Sequence, residues 1–176
     1  AAHRVNANVR AMLYELPPKE GDPNGNVLKA IESLKKLEPS PLASAARASL
    51  IQPANYSQHL DQLKDCDLVI EAISERMDWK ADLYRKVAPH LGERTIFASN
   101  TSGLSIKRLA EALPADIRSR FCGVHFFNPP RYMHLVELIA AAGTAPDLLD
   151  DLEAFLATRL GKGVVRAKDT PNFIAN

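Results

Sequence analysis

The sequence predicts an α/β fold in which a parallel β-sheet carries helices on both faces. Short apolar runs that are typical of buried strands alternate along the chain with longer segments in which apolar residues recur at helical spacing. This alternation is characteristic of parallel sheets whose strands are joined by helices. The length of 176 residues fits one domain, and a composition with 46% hydrophobic and 24% charged residues is ordinary for a globular chain.

The first third of the chain contains one predicted strand and one predicted helix. Residues 10–16 (RAMLYEL) alternate weakly and run into the breaker-rich PPKEGDPNG, which predicts a strand that enters a loop. Residues 26–37 (NVLKAIESLKKL) place Val27, Ile31 and Leu34 on one face and predict an amphipathic helix. The segment EPSPLASAARAS that follows predicts a loop with a short turn of helix.

From residue 66 onwards the sequence predicts five strands and three helices. The strands are expected at 66–73, 95–100, 120–127, 134–140 and 163–168, and the helices at 77–91, 105–113 and 146–161. Ser105 is placed to cap the second of these helices. Pro146 lies near the start of the third helix and Gly161 at its end, which are the positions that these residues favour.

A glycine-rich phosphate loop is missing from this pattern. In doubly wound dinucleotide-binding folds, a G-x-G-x-x-G turn after the first strand precedes an acidic residue at the end of the second strand by about 20 residues. No such turn occurs here, but LYEL could be the second strand, with Glu15 as its acid, and AAHRVNANV the tail of the first helix. We therefore expect residues 1–176 to be one domain that is truncated at both ends and lacks its first strand and phosphate loop.

Charge, hydropathy and cysteine content exclude several classes of protein. The formal net charge of +1 offers no basic field for nucleic acid. No apolar run approaches the roughly 20 residues needed to span a membrane, and the N-terminal residues show no signal peptide. Cys66 and Cys122 each lie beside a predicted strand and form neither a disulfide framework nor a metal motif. We therefore expect a cytoplasmic protein without a metal site, in which both thiols are small core residues.

One apolar stretch, CGVHFFNPPRYMHLVEL at residues 122–138, contains His125 and, twelve residues later, Glu137. A buried glutamate is costly unless another group pairs with it, and a histidine with a carboxylate can move a proton near neutral pH. The spacing leaves two interpretations open: a catalytic base with its carboxylate, or a core histidine and a strand-end glutamate that only contact each other. Glu71, inside LVIEAI, also needs a partner, and we expect a structural hydrogen bond there.

Four segments make the chain resemble the 3-hydroxyacyl-CoA dehydrogenase family over about residues 66–176: VIEAISERMDWK, FASNTSGLS, GVHFFNPPRYMHLVEL and LGKGVVRAKDTPNFIAN. They keep the order and spacing of the family. Residues 1–65 match more loosely and resemble the larger bacterial members, in which a dehydrogenase is fused to an enoyl-CoA hydratase part. The resemblance implies a Rossmann-like, doubly wound NAD-binding domain. It also implies NAD-dependent oxidation of (S)-3-hydroxyacyl-CoA to 3-oxoacyl-CoA in the β-oxidation of fatty acids.

The resemblance implies four catalytic residues. The histidine of the H-F-F-N-P motif falls on His125, and the partner carboxylate of L-V-E falls on Glu137. Ser102 would hydrogen-bond the substrate oxygen, although serine in a strand-to-helix turn is also favoured for local bonding. Asn176, in T-P-x-F-I-x-N, would reach the substrate and the catalytic histidine and would begin the linker to an all-helical second domain. That C-terminal domain, through which the family dimerises, is absent from this sequence.

Five residues are expected to contact NAD. Asn100 and Asn128 would lie beside the nicotinamide, although Asn128 could as well serve the turn before the prolines. Glu75 and Lys80 map to family positions near the cofactor ribose and the CoA entrance, although Lys80 could equally be the solvated surface of a helix. Glu15 would accept hydrogen bonds from the adenosine ribose, which favours NAD over NADP because a 2′-phosphate would be repelled.

Two other functions stay open. The chain could be a non-catalytic α/β module that kept the fold and serves as a binding or assembly partner, and the missing phosphate loop favours inactivity of this chain by itself. A related dehydrogenase that acts on a non-CoA substrate such as a sugar acid is a third hypothesis, which the H-F-F-N-P context disfavours. The expected partners are an acyl-CoA substrate and, in the parent protein, a second copy bound through the helical domain, with no nucleic acid and no membrane.

Overall fold

The computed structural model describes residues 1–174, and its helices and strands confirm the α/β fold that the sequence predicts. The described chain divides into two compact units. The first contains residues 1–61 and 128–133, and the second contains residues 62–127 and the described residues from 134 onwards. The hydrogen-bonded strands form one sheet in each unit, where the sequence pattern suggests a single sheet.

The first unit contains two helices and a pair of parallel strands. These are α1 (Ala2–Asn6), β1 (Ala11–Glu15), α2 (Gly25–Leu34) and β2 (Ile51–Asn55). The two strands pair in parallel, with Glu15 opposite Asn55 at their carboxyl ends. A 3₁₀-helix at Ala45–Leu50 leads into β2 and confirms the short helical turn predicted there.

Apolar side chains from α1, α2 and both strands pack into the core of the first unit. Val27 and Ile31, on the predicted apolar face of α2, are buried in it. Leu34 is partly buried against this core, whereas Leu37 lies beyond the end of the helix and is exposed. The helix therefore ends three residues earlier than the apolar pattern predicts. The buried members of the core are Ala2, Val5, Ala11, Val27, Ile31, Leu42, Ala48 and Ile51.

The second unit is built on a five-stranded sheet in the order β3-β4-β5-β6-β7. The strands span Leu68–Glu71, Ile96–Ser99, Phe121–Phe126, Leu135–Ala140 and Gly163–Ala167. The helices are α3 (Met77–Val87), α4 (Ile106–Glu111), α5 (Ala115–Arg118) and α6 (Pro146–Thr158). Two 3₁₀-helices, Leu60–Asp65 and Ala88–His90, complete the described elements. All five strands and three of these helices were expected from the sequence.

β5 and β6 are antiparallel, whereas the other neighbouring pairs of this sheet are parallel. The cause is the short chain between them. Only residues 127–134 separate β5 from β6, whereas a parallel pair needs a crossover of about a dozen residues or more. The antiparallel register places His125 directly opposite Glu137.

An aromatic cluster fixes α3 on the centre of the sheet. The ring of Tyr84 on α3 lies 4.9 Å from the ring of Phe97 on β4 and 5.6 Å from that of Phe121 on β5. All three side chains are buried, and an aromatic pair adds about 0.5–1.5 kcal/mol to the stabilisation from area burial. The cluster holds α3 beside the strands whose carboxyl ends carry Glu71 and Ser99.

Three further differences from the sequence prediction have a local reason. The pattern does not reveal β2, because Pro53 lies inside it and proline is tolerated in a sheet only at an edge or a bulge. The helix predicted at 77–91 ends at Val87 and continues as a 3₁₀-helix, since Pro89 has no backbone N–H to donate. The helix α5 has only four residues, too few for a helical period to show in the sequence.

Candidate active site

The centre of the site is a buried contact between His125 and Glu137. Nδ1 of His125 lies 2.7 Å from Oε2 of Glu137, and the two residues are 3% and 0% exposed. Both side chains project from the same face of the β5–β6 pair because the register makes the two residues direct partners. The contact that the sequence predicts is therefore present.

The geometry assigns a role to each nitrogen of the imidazole. An ionised carboxylate can only accept, so Nδ1 carries the proton and donates it to Glu137. In the neutral ring, Nε2 then holds the lone pair and is the basic atom. The ring packs against Phe127 at 4.5 Å and Phe173 at 5.8 Å between ring centres, which limits its rotation. His125 is thus held in one tautomer, with its basic nitrogen directed away from the carboxylate.

The second oxygen of Glu137 binds the backbone of a distant segment. Oε1 accepts a hydrogen bond from the N–H of Ile174 at 3.0 Å. This bond ties the end of the described chain to the β5–β6 pair. Asn176, the fourth predicted catalytic residue, lies outside the described residues.

Ser102 lies in an exposed turn at the carboxyl end of β4. Oε1 of Glu75 accepts hydrogen bonds from the N–H of Ser102 at 2.8 Å and the N–H of Gly103 at 3.0 Å, and also from the hydroxyl of Thr101. Partial burial would raise the pKa of Glu75, but these hydrogen bonds and the charge of Lys80 outweigh it and hold the pKa below its usual range. Glu75 is therefore an anion that binds this turn.

Beneath the turn lies a buried network centred on Glu71. Its Oε1 accepts from Nζ of Lys80 at 2.6 Å and from the N–H of Ile73 at 2.7 Å, while its Oε2 accepts from the hydroxyls of Tyr84 at 2.9 Å and Ser99 at 2.8 Å. Burial and the charge of Glu71 raise the pKa of Tyr84, so that its hydroxyl stays protonated and donates. The structural hydrogen bond expected for Glu71 is confirmed, and the interpretation of Lys80 as solvated surface is wrong, since its side chain is 1% exposed.

Asn100 joins the carboxyl ends of three strands. Its backbone N–H donates to the carbonyl of Glu71 at 2.8 Å, and its side-chain Oδ1 accepts from the N–H of Phe126 at 2.9 Å. Strands β3, β4 and β5 therefore meet at this residue. Ligands of parallel α/β sheets bind at this edge, so the position suits the predicted contact with the nicotinamide, which stays a prediction.

Asp169 has a role that the sequence does not reveal. Its carboxylate accepts from the N–H groups of Ile106 at 2.9 Å and Lys107 at 2.8 Å, and from the hydroxyl of Ser105 at 2.9 Å. It therefore caps α4 together with Ser105, whose predicted capping bond to the N–H of Arg108 is also present. Asp169 lies more than sixty residues along the chain from this helix, and no local signal in the sequence links the two.

Glu15 and Asn128 belong to the first unit, whereas the catalytic candidates described above belong to the second. Glu15 is exposed at the carboxyl end of β1, and its Oε1 accepts from the N–H of Leu16 at 2.9 Å. Asn128 is exposed and directly precedes a turn. In this turn the N–H groups of Tyr132 and Met133 donate to the carbonyl of Pro129. Asn128 thus stands directly before a turn, and both predicted cofactor contacts stay predictions.

Residues 1–174 contain no group of three or more His, Cys, Asp or Glu side chains that could hold a metal ion. None of the helices in this range is long and apolar enough to cross a membrane. Both cysteines are free, and burial raises the pKa of Cys122 to about 12. Cys66 is only partly buried, so the expectation that both thiols lie in the core is confirmed for Cys122 alone.

Known proteins resemble this chain over its whole length. It is 44% identical over 177 residues to a protein of Rickettsia felis named as a fatty acid oxidation complex trifunctional enzyme, with all of this chain and 25% of that protein covered. It is 40% identical over 177 residues to a protein of Deinococcus radiodurans named as a 3-hydroxyacyl-CoA dehydrogenase, again over all of this chain and over 51% of that protein. The chain thus spans between a quarter and about half of the length of these relatives.

Solved structures show the same fold. The 3-hydroxybutyryl-CoA dehydrogenase of Escherichia coli K12 superposes with a TM-score of 0.79 at 28% identity, over 98% of this chain and 36% of that one. The (S)-3-hydroxybutyryl-CoA dehydrogenase of Ralstonia eutropha superposes with a TM-score of 0.75 at 31% identity, over 99% and 61% of the two chains. The Rossmann-like fold class is therefore confirmed.

The family described as 3-hydroxyacyl-CoA dehydrogenase, NAD binding domain, matches residues 2–170. This match confirms the resemblance found in four motifs, and it confirms NAD as the cofactor of the family. The chain therefore belongs to the NAD-binding domains of the 3-hydroxyacyl-CoA dehydrogenases, which are oxidoreductases.

Proposed function

We propose that the complete protein to which this chain belongs oxidises (S)-3-hydroxyacyl-CoA to 3-oxoacyl-CoA with NAD, in the β-oxidation of fatty acids. The observation that carries the proposal is the buried His125–Glu137 contact, at 2.7 Å between Nδ1 and Oε2. A buried carboxylate is costly in a core unless another group pairs with it, and this one contacts a histidine in a chain of the 3-hydroxyacyl-CoA dehydrogenase family.

In this reaction His125 acts as the general base. When bound, NAD accepts the hydride from C3 of the substrate. The hydroxyl proton must leave in the same process, and Nε2 is the basic atom of the tautomer that Glu137 selects. When Nε2 takes the hydroxyl proton of the substrate, the ring becomes an imidazolium. The carboxylate of Glu137, hydrogen-bonded to Nδ1, stabilises this cation.

Ser102 and Asn176 complete the proposed catalytic set. Ser102 is exposed in a turn whose backbone is bound by Glu75, and its hydroxyl would hydrogen-bond the substrate oxygen. A hydroxyl can donate to the oxygen before and after the proton is lost. Asn176 would reach the substrate and His125, a role that is implied by the motif in which it lies.

Two of the residues proposed for the cofactor, Glu15 and Asn100, lie at the carboxyl ends of strands. Glu15 is an exposed carboxylate at the end of β1, where such folds place the acceptor for the ribose hydroxyls. Oδ1 of Asn100 is bound to the N–H of Phe126, which leaves the NH₂ group of this side chain to donate to the nicotinamide amide. Asn128 would also border the nicotinamide. Glu75 and Lys80 would lie near the cofactor ribose and the CoA entrance.

We also propose that the complete protein is a cytoplasmic homo-oligomer whose subunits associate through a helical domain, and that the 176-residue chain by itself is inactive. The first proposal rests on the family resemblance. The second rests on the sequence, which contains no G-x-G-x-x-G turn. Such a turn normally supplies the backbone N–H groups that hold the pyrophosphate at a helix N-terminus.

The experiment is steady-state kinetics of the complete protein with an (S)-3-hydroxyacyl-CoA and NAD. His125→Ala and Glu137→Gln should each lower kcat by at least about 100-fold, because general-base catalysis contributes about 10²–10⁴. His125→Ala should leave the Kd for NAD unchanged. Glu153→Gln, a change of the same kind at a surface glutamate paired with Arg166, is the control and should keep full turnover. Equal turnover of Glu137→Gln and the unsubstituted protein would mean that the two residues are only packed neighbours.

A further inference from the structure

A short segment that follows β7, residues 169–174, is attached to the second unit at both of its ends. At its start, the carboxylate of Asp169 accepts hydrogen bonds from two N–H groups at the beginning of α4, at 2.9 and 2.8 Å. At its end, the N–H of Ile174 donates to Oε1 of Glu137 at 3.0 Å. The segment therefore joins the start of a helix to the carboxylate that contacts His125.

The backbone between the two attachments has a conformation that its residues do not favour. Asn172 and Phe173 have φ angles of 63° and 54°. Asparagine is tolerated in this left-handed region, but a bulky residue such as phenylalanine is rarely found there. Such a conformation persists only where the surrounding contacts impose it. We therefore expect the turn at these residues to depend on the bonds at the two ends of the segment.

This turn places two groups on the proposed catalytic pair. The side chain of Phe173 is buried, and its ring centre lies 5.8 Å from that of His125. The next residue, Ile174, supplies the N–H that binds Oε1 of Glu137, while Oε2 of the same carboxylate contacts the imidazole. The first group limits the rotation of the base, and the second fixes the orientation of its carboxylate.

From these contacts we infer that Asp169 is a positioning residue for the His125–Glu137 pair. The inference rests on the proposed function, because the reaction that it affects is the one in which His125 is the base. Asp169 anchors the start of the 169–174 segment on α4, and the segment holds Phe173 and the N–H of Ile174 against the pair. Loss of this carboxylate should release the turn, although neither member of the pair has been changed.

Three variants test the role of the anchor. Asp169→Ala removes both acceptor oxygens, whereas Asp169→Asn keeps one of them and retains a residue that caps helices well. Asp169→Asn should fold even if Asp169→Ala does not, and its effects should be intermediate. Ser105→Ala is the control, because it removes the capping bond to the N–H of Arg108 but leaves both backbone bonds of Asp169 in place.

The first measurement is nuclear magnetic resonance of the folded 176-residue chain without any ligand. The amide proton of Ile174 should move upfield in Asp169→Ala, because it loses a hydrogen bond to a charged acceptor. The ring protons of His125 should also shift, because the aromatic ring of Phe173 no longer packs against them. Both sets of resonances should stay in place in Ser105→Ala. These shifts belong to the native state, so a change in overall stability alone does not produce them.

The second measurement is kinetics of the complete protein, arranged as a double-mutant cycle. Asp169→Ala should lower kcat at least about tenfold, because small displacements of catalytic groups are costly, and Ser105→Ala should leave kcat unchanged. In the background of His125→Ala, Asp169→Ala should cause no further loss of kcat, since residues that act as a unit have non-additive effects. A purely structural role of Asp169 would give losses that multiply.

The outcomes separate this inference from the proposed function. If the resonances of either Ile174 or His125 stay in place in Asp169→Ala and Asp169→Asn, the positioning role is overturned. Losses of kcat that multiply would overturn it too, because the segment would then act elsewhere, such as at Gly103, against which Asn172 packs. A complete protein without dehydrogenase activity would refute the proposed function, and the resonances, which need no substrate, would still decide whether Asp169 holds the segment on the pair.

Discussion

Replacement of Lys80 by methionine should leave a buried carboxylate without its counter-charge. Nζ of Lys80 lies 2.6 Å from Oε1 of Glu71, and both side chains are 1% exposed. Methionine fills a similar volume but carries no charge. Because water cannot reach Glu71 to replace the ammonium group, the cost of the desolvated anion should appear directly in the free energy of unfolding.

The expected loss follows from the remaining partners of Glu71. Breaking a buried ion pair by removing one member costs about 3–5 kcal/mol. Glu71 keeps hydrogen bonds from Tyr84 at 2.9 Å, Ser99 at 2.8 Å and the N–H of Ile73 at 2.7 Å, so the low end applies. A loss of about 3 kcal/mol corresponds to a fall in Tm of about 6–12 °C for a chain of this size. The double variant Lys80→Met/Glu71→Gln should recover much of this loss, because neither charge is then buried.

The assay is urea and thermal unfolding of the 176-residue chain, followed by circular dichroism. The matched control is Arg85→Met on the same helix, since Arg85 pairs with Asp82 at side-chain exposures of 67% and 71%. An exposed pair of this kind contributes about 0.3–0.5 kcal/mol. If the free energy of unfolding of Lys80→Met differs from that of the unsubstituted chain by no more than this amount, the buried pair does not stabilise the fold. The reasoning from desolvation is then wrong.

Two further predictions concern the capping carboxylate and the cofactor. Asp169→Ala should lower the free energy of unfolding by about 1–2 kcal/mol, because the substitution removes the acceptor for two N–H groups at the start of α4. Urea unfolding measures this loss, and an unchanged urea midpoint would contradict the capping role. The 176-residue chain should bind NAD weakly or not at all, because its sequence contains no G-x-G-x-x-G turn; a micromolar Kd in titration calorimetry would refute this.

The sequence predicts those elements of the fold that have a clear period or a continuous apolar run. The amphipathic spacing of Val27 and Ile31 marks α2, and the apolar run around Val69 marks β3. The direction of β6 is not visible in the pattern, because parallel and antiparallel strands bury the same kinds of residue. It follows from the short connection at 127–134, which is too short for a crossover.

For the candidate site, the sequence indicates which residues are unusual but not what they contact. A carboxylate in an apolar run had to have a partner, and Glu71 and Glu137 each have one. Glu75 and Asp169 lie in polar segments, where a carboxylate needs no explanation. Their partners are 26–28 and 62–64 residues away in the chain, so only the tertiary structure reveals their roles.

Three carboxylates of the second unit share one kind of bond: Glu75, Glu137 and Asp169 each accept from backbone N–H groups of a distant segment. Such charge-assisted bonds are short and directional. Two of them hold the segment from Asp169 to Ile174, since the first residue caps α4 and the N–H of the last binds Glu137. Glu137 therefore has two tasks, one for each oxygen. Glu137→Gln should therefore weaken both the support of His125 and the hold on this segment. For this reason, the kcat of Glu137→Gln is compared with its Kd for NAD. An unchanged Kd indicates a purely catalytic effect, whereas a raised Kd indicates that the segment is displaced.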